Sequence, residues 1–444
     1  MFASPHSLDL RLYCTPSTPV RSTLNCWPAF LPIVVQCGGK LLTAGLSPVE
    51  EENVVAALQH SDRVRSIELL LTDSFVEKLS TQVTEPFPEL EDLVLQSTNG
   101  RLFLTSPPRW SPRLRVLHLT NVTLPSFPQL LSSSPNLVDL RLHNTSYSSP
   151  PIFPLAIVDT LSVMTRLEYL SIYCFSVHSA LLHTGVPLSS GRRIVLPVLK
   201  QLDFRGFSKY FESLVAKIDA PCLRIIEIAF TYISDSHVDR QSQLGKFINR
   251  IDAQRSYTRA DIQTSIDHTS IRFTLSVFGS PSNFLLRIYC KELDQQLSSM
   301  ANICDHFPPF ILGVRDLSIF TAPLSRAQDA VCDERWLRLL RPFDGARRLF
   351  VAGELATDIL HALQQAEGEF AAVLPILRNF YVLKAYELPE RLRAPLRAAV
   401  GAFTTSRQLS GRPVRVEYCS LADAIALLIP ELEDDIGPSH CRPT

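Results

Sequence analysis

Cysteine and histidine are the side chains through which this 444-residue chain could offer a nucleophile or bind a metal ion. Its ten cysteines include no C-x-x-C pair, and its eleven histidines follow no metal-ligand spacing. Cys304 and His306 are the best candidate pair of nucleophile and base, but residues two apart rarely reach catalytic geometry. A thiol hydrolase is therefore a remote alternative, and we expect His118 and His143 to be surface residues.

The sequence lacks the short motifs that are typical of common catalytic and cofactor-binding sites. It contains no G-x-S-x-G, H-E-x-x-H, G-x-x-x-x-G-K-[ST] or G-x-G-x-x-G. Arg391, Arg393 and Arg397 form a basic stripe on a predicted amphipathic helix, and a solvated helix face is a simpler interpretation than nucleic-acid binding. We therefore predict that the chain is not an enzyme and has no catalytic residue, cofactor or metal ion.

The chain repeats a leucine ladder of the form L-x-x-L-x-L, seen most clearly at residues 114–119. Successive ladders start 23 to 32 residues apart, with one longer gap. Leucine-rich repeats run about 20 to 29 residues, each a short strand with a helix or turn. The ladders begin at residues 64, 90, 114, 137, 167, 199, 223, 314, 346 and 377.

Side chains of a strand alternate between its two faces, so ladder positions four and six should face a core and position five should face solvent. One such strand cannot bury its apolar face alone, whereas stacked neighbours share a continuous core. The sequence therefore predicts an α/β, leucine-rich-repeat-like solenoid with a parallel β-sheet on one face and irregular turns or helices on the other. The alternative is an ordinary α/β domain whose strands contain leucines.

The segments between the ladders divide the chain further. Residues 1–46 are predicted to be N-terminal cap strands, residues 47–416 the array, and residues 417–444 a poorly ordered tail with a short helix at 421–429. Within the array, two β-rich runs between 262 and 290 flank a Gly/Pro turn, which predicts an irregular hairpin. Helices are expected at 47–59 and near residues 208, 336 and 360, where apolar residues recur at helical spacing.

Composition limits the classes of partner and the compartment. Lys+Arg 43 and Asp+Glu 44 leave a formal charge of −1, which gives no reason to expect nucleic acid or an anionic membrane as the main partner. The N-terminus has no signal-peptide pattern, and the most apolar stretch, residues 27–37, is too short to span a bilayer. We expect an intracellular protein, cytoplasmic or nuclear, with reduced thiols.

Four longer segments are not generic leucine patterns. They are LYCTPSTPVRSTLNCWP at 12–28, VLPVLKQLDFRGFSKYFESLVAKIDAP at 195–221, WLRLLRPF at 336–343 and RQLSGRP at 407–413. Together they resemble a large group of fungal F-box proteins with degenerate leucine-rich repeats. The resemblance covers residues 8–416. It implies that a repeat array holds a target protein while an F-box docks the adaptor of a cullin-based ubiquitin ligase.

The F-box itself is not visible in this sequence. Seven residues precede Leu8, and the first 45 residues contain no Leu-Pro-x-Glu helical start. We therefore expect the ligase adaptor to bind only if an F-box is encoded upstream. The main expectation is a protein-interaction scaffold that recognises targets for ubiquitin ligation, and the alternative is a repeat protein with no ubiquitin link.

The candidate partner-binding residues are Arg348, Phe350, Asn379 and Tyr381, at positions three and five of two consecutive ladders. A strand places these positions on one face, and parallel strands lie about 4.8 Å apart, so the four should form one patch. Aromatic and arginine side chains are favoured at binding hot spots. We expect Phe350 and Tyr381 to be neighbours and partly exposed. If the tail buries either ring, the site should lie among the polar position-five residues from Glu68 to Glu227.

Overall fold

The computed structural model describes residues 12–14, 32–36, 48–83, 85–97, 102–103, 112–123, 127–143, 154–174, 193–232, 243–252, 257–265, 268–274, 283–289, 293–305, 311–321, 333–369 and 373–428. Over these residues the fold is mixed α/β with a large, mostly parallel sheet. The predicted α/β class and the predicted parallel sheet are thereby confirmed.

Strands and helices alternate through most of the described residues. The strands are β1 Leu12–Cys14, β2 Ile33–Gln36, β3 Val64–Leu71, β4 Asp92–Ser97, β5 Leu102–Phe103, β6 Val116–Thr120, β7 Val122–Thr123, β8 Asp139–His143, β9 Tyr169–Tyr173, β10 Ile194–Val195, β11 Gln201–Phe207, β12 Ile218–Asp219, β13 Ile225–Tyr232, β14 Arg259–Thr264, β15 His268–Thr274, β16 Asn283–Tyr289, β17 Asp316–Thr321, β18 Arg348–Ala352, β19 Asn379–Leu383 and β20 Arg415–Cys419. The helices are α1 Pro48–Leu58, α2 Asp73–Gln82, α3 Phe127–Ser132, α4 Pro154–Leu161, α5 Ser208–Val215, α6 Gln243–Asp252, α7 Leu293–Cys304, α8 Asp333–Leu340, α9 Gly353–Glu369, α10 Glu390–Leu409 and α11 Leu421–Leu428, with a 3₁₀ turn at Ala385–Glu387.

The chain forms two compact units, residues 1–226 and 227–444, a division that differs from the predicted boundaries at 47 and 417. In the first unit each ladder strand pairs in parallel with the next, in the order β1, β2, β3, β4, β6, β8, β9, β11. Two short parallel pairs, β5 with β7 and β10 with β12, lie outside this sheet. Consecutive ladders are in register, with Leu117 beside Leu140 and Leu140 beside Leu170.

The second unit combines antiparallel and parallel pairing. β15 and β16 form the predicted hairpin, with His268 opposite Tyr289 and Thr274 opposite Asn283, and this prediction is confirmed. The Gly/Pro turn predicted at 279–282 lies outside the described residues. β14 adds a third antiparallel strand beside β15 and pairs in parallel with β17 on its other edge. From β17 the sheet continues in parallel through β18, β19 and β20.

The core follows the ladder positions. Positions one, four and six are buried in every ladder, as Leu114, Leu117 and Leu119 illustrate. Apolar surface removed from water contributes roughly 25 cal/mol per Å², so these three positions hold the sheet to the helices and turns behind it. The helices predicted at 47–59 and near residues 208, 336 and 360 are confirmed as α1, α5, α8 and α9.

Position two of the ladder departs from strand alternation. In a regular strand, position two would lie on the same buried face as position four. Instead, residues at position two such as Arg115, Lys200 and Arg347 are exposed. In every ladder after the first the regular strand begins only at position three, so position two lies just before the strand. There one carbonyl accepts hydrogen bonds from two successive N–H groups of the next ladder; Arg115 O, for instance, accepts from Val138 N and Asp139 N at 2.7 and 3.0 Å. Because position two precedes the strand, its side chain does not follow the alternation of the strand.

The end of the chain corrects the predicted tail. Residues 415–419 form strand β20 beside β19, and residues 421–428 form helix α11. The predicted short helix is confirmed, but poor order from residue 417 onward is wrong for residues 417–428. The acidic segment 431–435 lies outside the described residues. Within the part of the chain that is described, no helix combines the length and apolarity needed to cross a membrane.

Candidate functional site

The structure brings the predicted partner-binding residues together but covers them. Arg348 lies beside Asn379, and Phe350 beside Tyr381, on the parallel strands β18 and β19. The two rings stack with centroids 4.6 Å apart, so the prediction that they are neighbours is confirmed. Both rings are buried, in one cluster with Leu383, Cys419 and Ala424, so the prediction of exposure is wrong.

Helix α11 explains this burial. Its residue Ala424 belongs to the aromatic cluster, and Arg348 Nη1 donates a 2.9 Å hydrogen bond to Leu427 O. Arg348 also forms two hydrogen bonds with the Asp316 carboxylate, which raise the pKa of the guanidinium. Asn379 Nδ2 donates to Tyr381 Oη at 3.0 Å. Arg348 and the two rings therefore pack with α11, and Asn379 binds Tyr381, so this part of the sheet is a packed junction rather than an open face.

Position five, expected to face solvent throughout, does so only in part. Ser318 joins Phe350 and Tyr381 among the buried residues of the second unit, and Ser171 and Asp203 are buried in the first. Glu68, Val94, His118, Arg141 and Glu227 are half-buried. Since α11 covers the aromatic pair, the alternative stated above applies, and the site is sought among the polar residues of the first unit.

Four neighbouring strands of the first unit, β6, β8, β9 and β11, carry a continuous set of aromatic and charged side chains at ladder positions three, five and seven. These positions share one face because strand side chains alternate. We call this set the aromatic–polar face, and it consists of His118, Asp139, Arg141, His143, Tyr169, Tyr173, Asp203 and Arg205.

One half of the aromatic–polar face is organised around Asp139. Its carboxylate accepts from Arg141 Nε at 3.1 Å and Nη2 at 2.9 Å, and His118 Nε2 lies 3.1 Å from Oδ2. The Arg141 guanidinium lies 4.3 Å from the centre of the Tyr169 ring, within cation–π range. Burial alone would raise the pKa of Asp139, but the close His118 imidazole and the hydrogen bonds from Arg141 outweigh it and lower that pKa. The Asp139 hydrogen bonds also raise the pKa of Arg141.

The other half is organised around Tyr173. Its hydroxyl donates to Asp203 Oδ2 at 2.6 Å, and the Arg205 guanidinium lies 4.5 Å from its ring centre. His143 stacks on the same ring, with centroids 3.8 Å apart, and shares a 2.9 Å hydrogen bond with Ser171 Oγ. Burial, followed by the Arg141 and His118 charges, lowers the pKa of His143 to about 4. Burial and the bond to Asp203 raise the pKa of Tyr173.

These protonation states point to recognition. At neutral pH the imidazole of His143 is uncharged, the Tyr173 phenol keeps its proton, and both carboxylates hold fixed partners. Two guanidinium groups lie over tyrosine rings, and both arginines are half-buried. Tyrosine and arginine in such fixed arrangements are enriched at protein-binding hot spots.

Neither thiol-hydrolase chemistry nor metal binding finds support in the described residues. The Cys304 thiol is buried in α7, and burial raises its pKa, which opposes formation of a thiolate nucleophile. Its predicted partner His306 lies outside the described residues. His118 and His143, expected to be surface residues, are half-buried members of the aromatic–polar face. No cluster of metal-binding side chains occurs among the residues described here.

Sequence reasoning missed Tyr169, Tyr173 and Arg205 because it followed position five alone along most of the array. A usable signal was present. Positions three and seven lie on the same face as position five, and the ladders at 137 and 167 place an arginine, a histidine and two tyrosines there. Reading all three rows together would have indicated this surface.

Comparisons with known proteins add little. No protein-family model and no curated protein match the sequence. Among solved structures, the chain is similar to the leucine-rich repeat-containing protein LegL7 from Legionella pneumophila, with 10% sequence identity, 89% of this chain and 98% of that chain covered, and a TM-score of 0.26. A likeness of this strength carries no argument about function.

Proposed function

We propose that this chain is a non-enzymatic, leucine-rich-repeat-like solenoid that binds a protein partner on its aromatic–polar face. The observation that carries the proposal is the pair of guanidinium groups, Arg141 and Arg205, held on the rings of Tyr169 and Tyr173. Preorganised aromatic and arginine side chains lose little conformational freedom on binding, so more of the contact energy contributes to affinity.

The sheet geometry supports a protein ligand over a small molecule. The aromatic–polar face extends across four parallel strands at about 4.8 Å spacing, so it spans roughly 14 Å between its outer strands. Small ligands favour concave apolar pockets that enclose most of their surface. An extended face with aromatic and charged groups fits the surface of another protein.

We further propose that the bound protein is a target for ubiquitin ligation and that the chain acts inside the cell. This step rests on the resemblance of residues 8–416 to the repeat regions of fungal F-box proteins. A repeat protein that binds its partner without any ubiquitin link is the alternative, and the ubiquitylation measurement below separates the two.

The test compares proteins recovered with the wild-type chain and with Tyr173→Ala, using quantitative mass spectrometry of affinity-purified material. The matched control is Tyr386→Ala, since Tyr386 is 72% exposed and lies outside the aromatic–polar face. A partner should be lost with Tyr173→Ala and retained with Tyr386→Ala, and Arg205→Ala should reproduce the loss in purified binding. Thermal melts establish that each variant is folded.

A recovered partner is then tested for ubiquitylation in cells with and without this chain. Loss of ubiquitylation without the chain supports the ligase role. Unchanged ubiquitylation leaves the binding proposal standing and favours the alternative. Equal recovery of every partner by wild-type and both face variants would contradict the proposed binding surface.

A further inference from the structure

Three arginines occupy ladder position two, immediately before three consecutive parallel strands of the second unit. They are Arg315, Arg347 and Arg378, and backbone hydrogen bonds place them side by side. Arg347 N donates to Arg315 O at 2.8 Å, and Arg378 N donates to Arg347 O at 2.9 Å. Because neighbouring parallel strands lie about 4.8 Å apart, the three residues form one continuous line, which we call the arginine row.

The arginine row is exposed and makes no ion pair within the described part of the chain. All three residues are exposed, and none of them makes an ion pair with a described residue. Their neighbours behave differently, since Arg348 pairs with Asp316 and Arg415 pairs with Glu417 at 2.6 Å. In the arginine of these strands at ladder position three, by contrast, the charge is paired.

The first unit provides an internal comparison at the same ladder position. There opposite charges on neighbouring ladders form ion pairs at two points. Arg65 lies 3.3 Å from Glu91, and Lys200 lies 2.6 Å from Glu168. The same backbone geometry therefore accommodates opposite charges on adjacent strands. Three positive charges in a line repel one another, and a bound anion would relieve that repulsion.

Apolar side chains flank the arginine row. Leu312 is 60% exposed and Ile376 is 44% exposed, and each lies within three residues of an arginine of the row along the chain. Asp344 is an exposed carboxylate on the same connecting segments. Cationic groups in line beside exposed apolar groups complement a segment that carries both carboxylates and apolar side chains.

We propose that the arginine row binds an acidic, partly apolar segment of a partner protein. A nucleic-acid partner is disfavoured because its recognition takes a broad basic surface, whereas this chain has a formal charge of −1 and the row contains three cations. The arginine row lies in the second unit, and its proposed ligand does not depend on the aromatic–polar face of the first unit.

The test uses a fluorescein-labelled synthetic peptide in which pairs of aspartates alternate with leucine, and a second peptide with asparagine in place of aspartate. Fluorescence polarisation measures the binding of each peptide to the full chain. The wild-type chain should bind the aspartate peptide and not the asparagine peptide. Its affinity should fall as the salt concentration rises from about 50 to about 300 mM, because salt screens exposed charges.

The decisive variant changes Arg315, Arg347 and Arg378 together to glutamine, and it should weaken peptide binding by at least about tenfold. The matched control removes the same charge elsewhere in the second unit, by changing the exposed residues Arg391, Arg397 and Arg412 to glutamine, and should change affinity less than about twofold. If the triple variant melts early, the single change Arg347→Glu replaces it, with the same direction expected.

Two results with the peptides would overturn the proposal. The first is that the wild-type chain does not bind the aspartate peptide. The second is that the control variant loses as much peptide affinity as the arginine-row variant, which would indicate nonspecific attraction. A labelled DNA duplex serves as the competing probe. If the duplex binds more tightly than the peptide and the same three changes abolish its binding, the row is a nucleic-acid contact instead.

Discussion

The imidazole of His143 lies flat on the phenol ring of Tyr173, with ring centroids 3.8 Å apart and planes 6° apart. The pKa of this imidazole is lowered to about 4 by burial and by the nearby Arg141 and His118 charges. In the unfolded chain a histidine binds its proton near pH 6.5. Between these two values the unfolded state binds more protons than the folded state, so stability should fall as pH falls from about 6.5 to about 4.

The variant His143→Phe keeps a stacked ring and removes the proton site. It should flatten the pH dependence of the unfolding free energy in this window by at most about 1.4 kcal/mol per pH unit, the limit for one proton. Urea melts at several pH values measure this. Ser171→Ala removes the hydrogen bond to His143 and keeps the imidazole, so it should retain the wild-type slope. Identical slopes in all three proteins would contradict the assigned pKa.

Asp139 gives a prediction in a lower pH range. Burial opposes its charge, but the nearby His118 imidazole and the hydrogen bonds from Arg141 lower its pKa in the folded state. Its stabilisation is therefore present above the unfolded value near 3.9 and is lost as pH falls through the folded pKa. Asp139→Asn should lower stability by about 1 kcal/mol at pH 7, a charged hydrogen-bond value discounted for solvent screening. The difference from wild type should shrink below pH 4, as denaturant melts would show.

The adjacent residues Leu140 and Arg141 test the ladder register. Leu140 is buried at position four, so Leu140→Ala should destabilise the chain by roughly 2 to 5 kcal/mol. Arg141 is half-buried and bound to Asp139, and Arg141→Ala should cost up to about 1 kcal/mol. Chemical denaturation of both variants gives the comparison. A larger loss for the arginine change would mean that strand β8 is in the other register.

Helix α11 offers a matched pair of alanines. Ala424 is buried beside Phe350 and Tyr381, whereas Ala422 on the same helix is exposed. Ala424→Asp would place an unpaired carboxylate in an apolar cluster, so it should detach the helix and expose the two rings. Hydrogen exchange in strand β19 and limited proteolysis near residue 420 should both increase. Ala422→Asp should leave both measurements unchanged, and equal protection in the two variants would refute the packing described.

Two glycines have opposite expected responses to alanine. A Cβ atom at Gly345 would lie 2.5 Å from the backbone oxygen of Leu312, so Gly345→Ala should destabilise the turn before strand β18 by about 1 to 3 kcal/mol. Gly401 lies within helix α10, and a Cβ atom there would meet nothing within 4 Å. Gly401→Ala should therefore stabilise the chain by about 0.5 to 1 kcal/mol. Thermal melts distinguish the two.

The sequence predicted those parts of the fold that depend on local spacing. Leu117 and Leu119 are buried because alternation along a single strand fixes their side, and that rule needs no knowledge of neighbouring segments. The hairpin β15–β16 was predicted for the same reason, since two β-rich runs and their turn are contiguous. Helices α8 and α9 follow from apolar spacing of 3.6 residues.

Features that depend on distant segments were not predictable in this way. Phe350 and Tyr381 stack as expected, but their burial depends on α11, which is separated from Phe350 by about seventy residues of sequence. The arginine row is lined up by backbone hydrogen bonds between neighbouring ladders. Its exposure is the opposite of what alternation along a single strand predicts. In the aromatic–polar face, the pairing of Tyr173 with Asp203 requires the strand register, which the sequence does not state.

The carbonyl that serves two successive N–H groups has an evolutionary consequence. Because this arrangement uses only backbone atoms, a mutation at ladder position two leaves both the hydrogen bonds and the core intact. Position two is therefore free to change charge at little expense in folding stability, in contrast to the leucines at positions one, four and six. Substitutions at position two could therefore change which partner the array binds, one repeat at a time. Gene duplicates that share this backbone would then diverge first in the targets they recognise.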